Sequence, residues 1–342
     1  MIRVSILGFG NIGHAVCALL GRLPTLDVTV WGRSIASRQE VDVVGLSQGR
    51  VACAGRASKE PDLRAATQAA EVIIVATPAY AAWSIAERAL RHARSCKLLV
   101  VWEGTGQSVR RFGEGLSPGF SIAGLQRSPI IAQIAGRDKS VEIHGIRSRV
   151  VAALLRGRGA DRENTARAML QSLIPCQFVF APDYDCVTLS PGNPMIHTAR
   201  LYRLGEMVEE GAGLPASFYT DWDDRSSVLL LKLHGELTKV RDRMGISDRF
   251  VTTLLDRPQS PQPREITREI RAETVLGKIP APVLGPAGAA RLDGAHRFFR
   301  DDIAEGLPAI TALARRTGIR TPMMDKIIAW GMTQMQAPAE HP

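Results

Sequence analysis

The chain contains 342 residues, is 45% hydrophobic and 23% charged, and carries a formal net charge of +9. Single hydrophobic cores stop growing at about 250 to 300 residues, so this length predicts two domains. Lys and Arg are spread along the chain without a basic run or interleaved aromatic residues. The charge therefore argues against a nucleic-acid partner and suits small anions, such as a phosphorylated cofactor and carboxylate substrates.

The cysteines and the start of the chain indicate a cytoplasmic protein. The five cysteines are scattered and form no C-x-x-C motif, so we expect reduced thiols rather than a disulfide framework or a metal site. Met1 leads directly into a predicted strand, which leaves no room for a signal peptide. No apolar run approaches the ~18 residues that a membrane span requires, so no membrane partner is expected.

The first predicted element is a strand over residues 2–7 that runs into a glycine-rich turn and then into an apolar helix. In the G-x-G-x-x-G spacing, Gly8 permits the tight turn, Gly10 lets the backbone approach a pyrophosphate, and Gly13 lets the helix pack closely on the strand. The free N–H groups of the helix N-terminus would face the phosphates. Such a motif also occurs in flexible loops, but here strand, turn and helix follow in the required order. The predicted cofactor residues of this turn are Gly8, Gly10, Asn11, Ile12 and Gly13.

The end of the second predicted strand favours NADP over NAD. An NAD site would carry an Asp or Glu there to bind the ribose 2′-OH, whereas this chain has Arg33 and Ser34, followed by Arg38 one helical turn later. A guanidinium and a hydroxyl suit a 2′-phosphate. Alternatively, Arg33 only caps a surface strand. Thr77 and Pro78 follow another strand at the carboxyl edge of the sheet, where ligand contacts collect.

Strand-like runs alternate with helical stretches in the first half of the chain, and helical patterns dominate afterwards. This alternation predicts an α/β fold, with an N-terminal Rossmann doubly wound parallel sheet over residues 1–182 and an all-helical substrate and catalytic domain over residues 183–342. Residues 257–290 are rich in Pro and Gly and predict a loop with one short helix over 264–273. The predicted strands are 2–7, 28–32, 72–76, 98–102, 120–123, 142–145 and 176–180, and the predicted helices are 198–210, 224–244, 302–317 and 322–332.

Asn193 and His197 form the first candidate catalytic pair. If Pro194 occupies the first helical turn, Asn193 becomes the N-cap, and His197 lies one turn later on the same face. Imidazole is the side chain best able to exchange a proton near neutral pH. Most histidines, however, are surface or satisfied core residues, and spacing alone does not decide between the two readings.

A second cluster opens the helix predicted over 302–317. Acidic residues at a helix start are often only caps, and this reading covers at least one of Asp301 and Asp302. The alternative is that one carboxylate orients His197 while Arg297 binds a substrate carboxylate.

Taken together, these segments resemble the opine dehydrogenases, a family that includes octopine and nopaline dehydrogenases and the bacterial enzymes that make staphylopine-like metal carriers. The Asn-Pro-x-x-His and Asp-Ile-x-x-Gly-Leu elements are fairly specific to the family, although Ala304 stands where the family often has Pro. The chain is also short for a metallophore enzyme. The segments that carry the resemblance are the glycine turn, 77–79, 124–127, 193–197, 297–307 and 318–325.

The resemblance implies an NAD(P)H-dependent reductive condensation of an amino acid, or an amino-acid-derived metallophore precursor, with a 2-oxo acid. His197 would then be the general acid and base, Asp302 would orient it, and Asn193 would hydrogen-bond the reacting carbonyl. Arg297 and Arg127 are the candidates to bind carboxylates, because a guanidinium matches a carboxylate bidentately. A homodimer is compatible with the sequence.

Other functions are disfavoured. Ketopantoate and glycerol-3-phosphate type reductases place a catalytic Lys early in the helical domain, whereas here the first Lys of that domain is Lys232. The alternative from a different class is a regulator that senses NADP without turnover. The G-x-S-x-G matches at 45–49 and 115–119 do not lead from a strand into a helix, as a nucleophile elbow must. No H-E-x-x-H or clustered ligand set indicates a metal.

Overall fold

The computed structural model describes residues 1–106, 119–136, 140–155, 159–251, 255, 261–273, 277, 279–285 and 290–336. The chain divides into two compact units, Met1–Val187 (unit 1) and Thr188–Pro342 (unit 2). The boundary predicted after residue 182 falls inside unit 1. Among the described residues, no helix is long and apolar enough to cross a membrane.

Unit 1 is built on one mixed sheet. Its strands are β1 Ile2–Leu7, β2 Leu26–Trp31, β3 Gln39–Ser47, β4 Arg50–Lys59, β5 Val72–Val75, β6 Leu98–Val101, β7 Ser121–Leu125, β8 Ile130–Gly136, β9 Ser140–Ile146, β10 Arg149–Leu155 and β11 Gln177–Phe180. In the part of the chain that the structure describes, they lie in the order β11-β10-β7-β6-β5-β1-β2-β4-β3-β9-β8. The helices are α1 Asn11–Leu20, α2 Leu63–Thr67, α3 Ala79–Leu90, α4 Ala160–Leu173 and α5 Asp185–Thr188.

The centre of this sheet is parallel, as the alternating pattern predicts. Strands β2, β1, β5, β6 and β7 pair in parallel with one another in this order. Every residue of β5 and β6 is buried, which explains why both read as short continuous apolar runs rather than alternating ones. The predicted Rossmann architecture is confirmed.

A β-hairpin formed by β3 and β4 was not predicted. Strand β3 buries alternate residues, and the chain reverses at Gln48 and Gly49, which both have positive φ angles of 52° and 73°. Two successive positive φ angles are typical of the type I′ turns that connect hairpin strands. The first G-x-S-x-G match therefore lies in a strand and its hairpin turn, while residues 115–118 of the second lie outside the described residues.

Unit 2 is predominantly helical. Its helices are α6 Asn193–Glu209, α7 Asp224–Met244, α8 Pro263–Ala272, α9 Leu307–Thr317 and α10 Pro322–Gln336, with a 3-10 turn at Asp248–Phe250. A two-stranded sheet, β12 Val283–Leu284 with β13 Arg291–Leu292, was not predicted, because strands of two residues have no readable period. Much of the loop region at 257–290 lies outside the described residues.

The helix predicted over 302–317 is two elements, a π-helix over Phe299–Gly306 followed by α9. Pro308 lies in the first turn of α9, and it has no N–H to bond the carbonyl of Ala304. The N–H of Leu307 instead bonds the carbonyl of Asp302, five residues earlier, which is the π-helical pattern.

Candidate active site

His197 lies one turn into α6, with its side chain almost fully buried. Pro194 lies in the first helical turn, as predicted, where its missing N–H costs nothing. The predicted N-cap is wrong by one residue, since Gly192 is the N-cap and Asn193 is the first helical residue. No side-chain hydrogen bond caps this helix among the described residues, and Asn193 is exposed.

Both ring nitrogens of His197 are engaged. Nδ1 lies 2.7 Å from Oδ2 of Asp302, and Nε2 lies 2.7 Å from the hydroxyl of Tyr219. All three side chains are at most 6% exposed. Asp302, His197 and Tyr219 therefore form a continuous buried line of polar groups, which we call the His197 relay.

The carboxylate fixes the direction of the hydrogen bonds in this relay. An ionised Asp302 can only accept, so Nδ1 of His197 donates to it, and the lone pair of Nε2 accepts from the Tyr219 hydroxyl. Burial raises the pKa of Tyr219 well above its usual range, the charge of Asp302 raises it further, and Arg297 lowers it. Tyr219 is thus a neutral phenol and a hydrogen-bond donor at physiological pH.

Aromatic rings surround the imidazole. Phe298 stacks on it with ring centroids 4.0 Å apart, and Phe218 meets it edge-on at 5.7 Å. Both phenylalanines are fully buried. Because water is excluded from these faces, the hydrogen bonds of the relay act in a medium of low dielectric constant, where they are stronger than in water.

Close packing at Gly306 brings Asp302 to His197. A Cβ atom at Gly306 would lie 2.6 Å from Cγ of Pro194, so only glycine lets the π-helix approach the start of α6 this closely. The π-helix carries Asp302 and α6 carries His197. The glycine and the proline of the two family-like motifs therefore have a joint structural role, which is to set the distance between the carboxylate and the imidazole.

Arg297 lies beside the relay but outside its buried part. Its side chain is exposed, its guanidinium lies 5.4 Å from the ring centre of Phe298, and its charge lowers the pKa of Tyr219. Arg297 can therefore offer its charge to an anion near Tyr219. Tyr219 itself was missed, because it lies in an irregular segment before α7 where no periodicity or motif marks a functional residue.

The glycine turn in unit 1 has the shape that a pyrophosphate requires. Gly8 has φ 120°, and a Cβ there would lie 2.5 Å from the carbonyl oxygen of Ala76, while a Cβ at Gly13 would collide with the carbonyl of Gly8. At Gly10 a Cβ would meet nothing within 4 Å, so the backbone there is open to a ligand. Helix α1 has no acidic residue in its first turn and no side-chain cap. These residues fit a dinucleotide phosphate.

Thr77 and Asn11, two further predicted cofactor residues, differ in the hydrogen bonds that their side chains already make. The hydroxyl oxygen of Thr77 is buried without a hydrogen-bond partner within the described residues, next to Gly8, and Pro78 is the N-cap of α3. Thr77 can therefore donate to a ligand at the turn. The side chain of Asn11, by contrast, accepts a hydrogen bond at Oδ1 from the N–H of Ile134 at 3.1 Å, so its amide Nδ2 and its backbone are the groups that can donate to a phosphate.

Glu60, a carboxylate that was not predicted, lies beside the end of β2. Arg33 and Ser34 are exposed there, but the N–H of Glu60 bonds the carbonyl of Val30, which places Glu60 beside the same strand end. Oε2 of Glu60 lies 3.7 Å from Nε of Arg38. Glu60 comes directly after β4 of the unpredicted hairpin and is 30 residues from Val30 along the chain. No local sequence signal could therefore have placed it beside the end of β2. The ribose end of the site thus contains both signs of charge.

Arg127 lies in unit 1, two residues after the end of β7, and is half-buried. Its Nε is buried without a hydrogen-bond partner within the described residues. Burial lowers its pKa to about 10, and the positive charges of Arg147 and Arg149 contribute to the shift. No group of His, Cys, Asp and Glu that could hold a metal ion occurs among the described residues.

Comparison with known proteins gives a different family-model match for the N-terminal and the helical part of the chain. Residues 181–335 match the family model "NAD/NADP octopine/nopaline dehydrogenase, alpha-helical domain", and residues 4–114 match "Ketopantoate reductase PanE/ApbA". A curated relative, the uncharacterized protein y4xO of Sinorhizobium fredii (strain NBRC 101917 / NGR234), is 25% identical over 374 residues, which cover 96% of this chain and 94% of the relative.

Two solved structures show the same fold. Octopine dehydrogenase with NADH and pyruvate superimposes with a TM-score of 0.75 at 20% identity, over 98% of this chain and 90% of that one. Yersinopine dehydrogenase with NADP+ bound gives a TM-score of 0.72 at 12% identity, over 98% of this chain and 91% of that one.

A Rossmann unit with an open glycine turn, followed by a helical unit with a buried histidine and carboxylate, is consistent with an oxidoreductase, and the match of the helical unit supports this class. The helical unit matches the octopine/nopaline dehydrogenase domain and two opine dehydrogenases share the fold, which confirms the resemblance inferred from the motifs.

Proposed function

We propose that the protein is an NAD(P)H-dependent opine dehydrogenase that condenses the amine of an amino acid, or of an amino-acid-derived metallophore precursor, with a 2-oxo acid and reduces the product to a secondary amine. The observation that carries the proposal is the buried line from Asp302 through His197 to Tyr219, in the unit that matches the octopine/nopaline dehydrogenase helical domain. The cofactor supplies a hydride when bound.

Proton handling falls to the His197 relay. The substrate amine must lose protons before it attacks the carbonyl carbon, the carbonyl oxygen leaves as water, and the overall reduction consumes one proton. Since Nδ1 of His197 faces Asp302, protons enter and leave through Nε2, and the next group in line is the Tyr219 hydroxyl. Asp302 holds the ring in this orientation and stabilises its charged form.

One arginine in each unit supports binding of carboxylates. Arg297, exposed beside Phe298, and Arg127, whose buried Nε has no hydrogen-bond partner within the described residues, are the groups assigned to substrate carboxylates. The exposed amide of Asn193, one turn before His197, is assigned to the reacting carbonyl. NADP is the proposed cofactor because Arg33 and Ser34 follow β2, although Glu60 at the same place opposes a 2′-phosphate.

The test is to follow NADPH oxidation with amino acids crossed against pyruvate, glyoxylate and 2-oxoglutarate. The proposal predicts that oxidation requires both an amine and a 2-oxo acid, and that the product has the mass of the secondary amine. Each amine is also tested after N-acetylation, which blocks condensation but keeps the carboxylate. Turnover with the acetylated control would contradict the proposal.

A second candidate is a 2-oxo acid reductase of the ketopantoate type, which the match of residues 4–114 favours. A reductase needs no amine. Steady NADPH oxidation with a 2-oxo acid alone, unchanged when amino acids are added, would therefore assign the protein to this class, and cofactor binding without any turnover would indicate a regulator.

A further inference from the structure

The inward face of strand β4 ends in a lysine. Cys53 and Ala57 on this face are part of the hydrophobic core, and a Cβ at Gly55 would collide with the backbone of α1, so this face packs on that helix. The alternation of β4 puts Lys59 on the same face, where its exposure is only 7%. Lysine is almost never buried to this extent unless its charge has a partner. The position therefore calls for a partner of the Lys59 ammonium group.

The ammonium group of Lys59 has no anionic partner among the described residues. Its Nζ lies 5.0 Å from the ring centre of Phe9, and it forms no ion pair or hydrogen bond within the described part of the chain. The neighbouring carboxylate, Glu60, is engaged elsewhere, since its Oε1 accepts a hydrogen bond from the N–H of Asp62 and its Oε2 lies 3.7 Å from Nε of Arg38. A phenylalanine ring attracts a cation but does not neutralise it. The charge of Lys59 can therefore serve a bound anion.

Lys59 lies at the ribose end of the predicted cofactor site. Strand β4 runs parallel to β2, with Lys59 opposite Val30, so both strands end at the carboxyl edge of the sheet. Phe9 links this place to the glycine turn that contains it, because a Cβ at Gly32, directly after β2, would lie 3.1 Å from Cβ of Phe9. In Rossmann folds, the end of the second strand is where the ribose 2′-position is read. The ammonium group therefore lies between the glycine turn and the ribose position.

The two kinds of cofactor phosphate differ in what the backbone already offers them. A pyrophosphate would face the start of α1, where the backbone at Gly10 is open. A 2′-phosphate has no such backbone site and depends on side-chain cations. Arg33 is exposed to solvent, and the charge of Arg38 is offset by Glu60. Solvent and salt screen a buried charge much less than an exposed one, so Lys59 is the more effective cation for a 2′-phosphate.

We infer that Lys59, beside the ring of Phe9, binds the 2′-phosphate of NADP and determines the preference for NADP over NAD. The inference adds a specificity residue to the proposed function, which rests this preference on Arg33 and Ser34. It depends on that function only for the identity of the cofactor, since binding of a 2′-phosphate requires no turnover.

The first experiment measures binding of fragments of the cofactor. Calorimetry of the full chain compares adenosine 2′,5′-bisphosphate with 5′-AMP, which differ only in the 2′-phosphate, for the wild type, Lys59→Met and a control, Lys97→Met. Methionine keeps most of the lysine stem and removes the charge. Lys97 is exposed just before β6, at the opposite edge of the same sheet. We expect the bisphosphate to bind at least about tenfold more tightly in the wild type and control, a preference of roughly 1.4 kcal/mol, and this ratio to fall at least about fivefold in Lys59→Met.

The second experiment compares the Kd of NADP+ and NAD+ for the same proteins. Lys59→Met should weaken NADP+ binding at least about fivefold and change the Kd of NAD+ less than about twofold. Lys59→Gln, which keeps a hydrogen-bond donor without the charge, should show the same loss and guards against a packing effect of methionine. Because the buried charge has no counter-charge within the described residues, removing it should leave the Tm of the ligand-free protein unchanged or raise it.

Several results would overturn the inference. An equal loss of affinity for NADP+ and NAD+ would place Lys59 on the pyrophosphate. An unchanged ratio in both Lys59 variants would leave the 2′-phosphate to the exposed arginines, and a lower Tm with that unchanged ratio would make Lys59 a structural residue. If no substrate pair is turned over but the preference for the bisphosphate still depends on Lys59, the proposed function fails and the inference stands.

Discussion

Replacing Asp302 with Asn tests whether the carboxylate stabilises a charged His197 during turnover. The atoms Nδ1 and Oδ2 are 2.7 Å apart, and the charges are spread over a ring and a carboxylate, so their centres lie about 4 Å apart. At an effective dielectric constant of about 20, two unit charges at ~4 Å attract by about 4 kcal/mol. Asn retains a neutral hydrogen bond worth about 1 kcal/mol, so the loss is about 3 kcal/mol, or roughly two orders of magnitude in rate.

The assay is kcat for NADPH oxidation at saturating substrates, together with the Kd of NADPH from its fluorescence and the Tm. Asp302→Asn should lower kcat about 100-fold and leave the Kd of NADPH nearly unchanged, since the glycine turn belongs to unit 1 and Asp302 to unit 2. The matched control is Asp301→Asn, a partly exposed carboxylate on the same π-helix. A kcat within about threefold of the wild type in Asp302→Asn, or an equal loss in the control, would refute the reasoning.

Three further predictions concern the His197 relay and the ribose end of the cofactor site. His197→Ala should lower kcat by about 10²- to 10⁴-fold while NADPH still binds, and activity close to that of the wild type would make His197 structural. Gly306→Ala should lower the free energy of unfolding by about 1–3 kcal/mol and lower kcat, because the new Cβ would push the π-helix away from Pro194; an unchanged urea midpoint would contradict this. NADPH should give a higher kcat/KM than NADH, and Glu60→Gln should increase that preference by removing a negative charge at the ribose end; a preference for NADH of about tenfold or more would overturn the assignment.

The sequence predicts the parallel centre of the sheet well, because its determinants are local. The buried runs at Val72–Val75 and Leu98–Val101 and the glycine turn each carry their signal within a few residues. The β3–β4 hairpin escapes prediction, because its reversal at Gln48 and Gly49 lacks the usual Asn-Gly or Asp-Gly signature. Its omission also hides Glu60, and this is why sequence alone indicates a purely basic ribose site.

The residues of the candidate site likewise divide into those that the sequence predicts and those that it does not. The spacing of Asn193 and His197 along one helix is visible in the chain, and the motif resemblance links His197 to Asp302, a role that stays a prediction. Tyr219 cannot be found in this manner, since it reaches Nε2 of His197 from an irregular segment 22 residues away. A residue whose contact depends only on tertiary packing leaves no periodic trace.

The π-helix shows how a local chemical fact directs the site. Helical periodicity alone predicts one continuous helix over 302–317, but Pro308 cannot donate to the carbonyl of Ala304, and the Leu307 N–H bonds Asp302 instead. The wider turn adds a residue, which in a helix of 3.6 residues per turn rotates everything before it by about 100° relative to α9. The direction in which Asp302 points is therefore coupled to Pro308, which lacks an N–H and lies six residues later. Because Gly306 has no side chain, the rotated segment can pack against Pro194 and reach His197. Pro308 and Gly306, which have no catalytic chemistry of their own, thus decide whether the carboxylate of Asp302 and the imidazole of His197 meet.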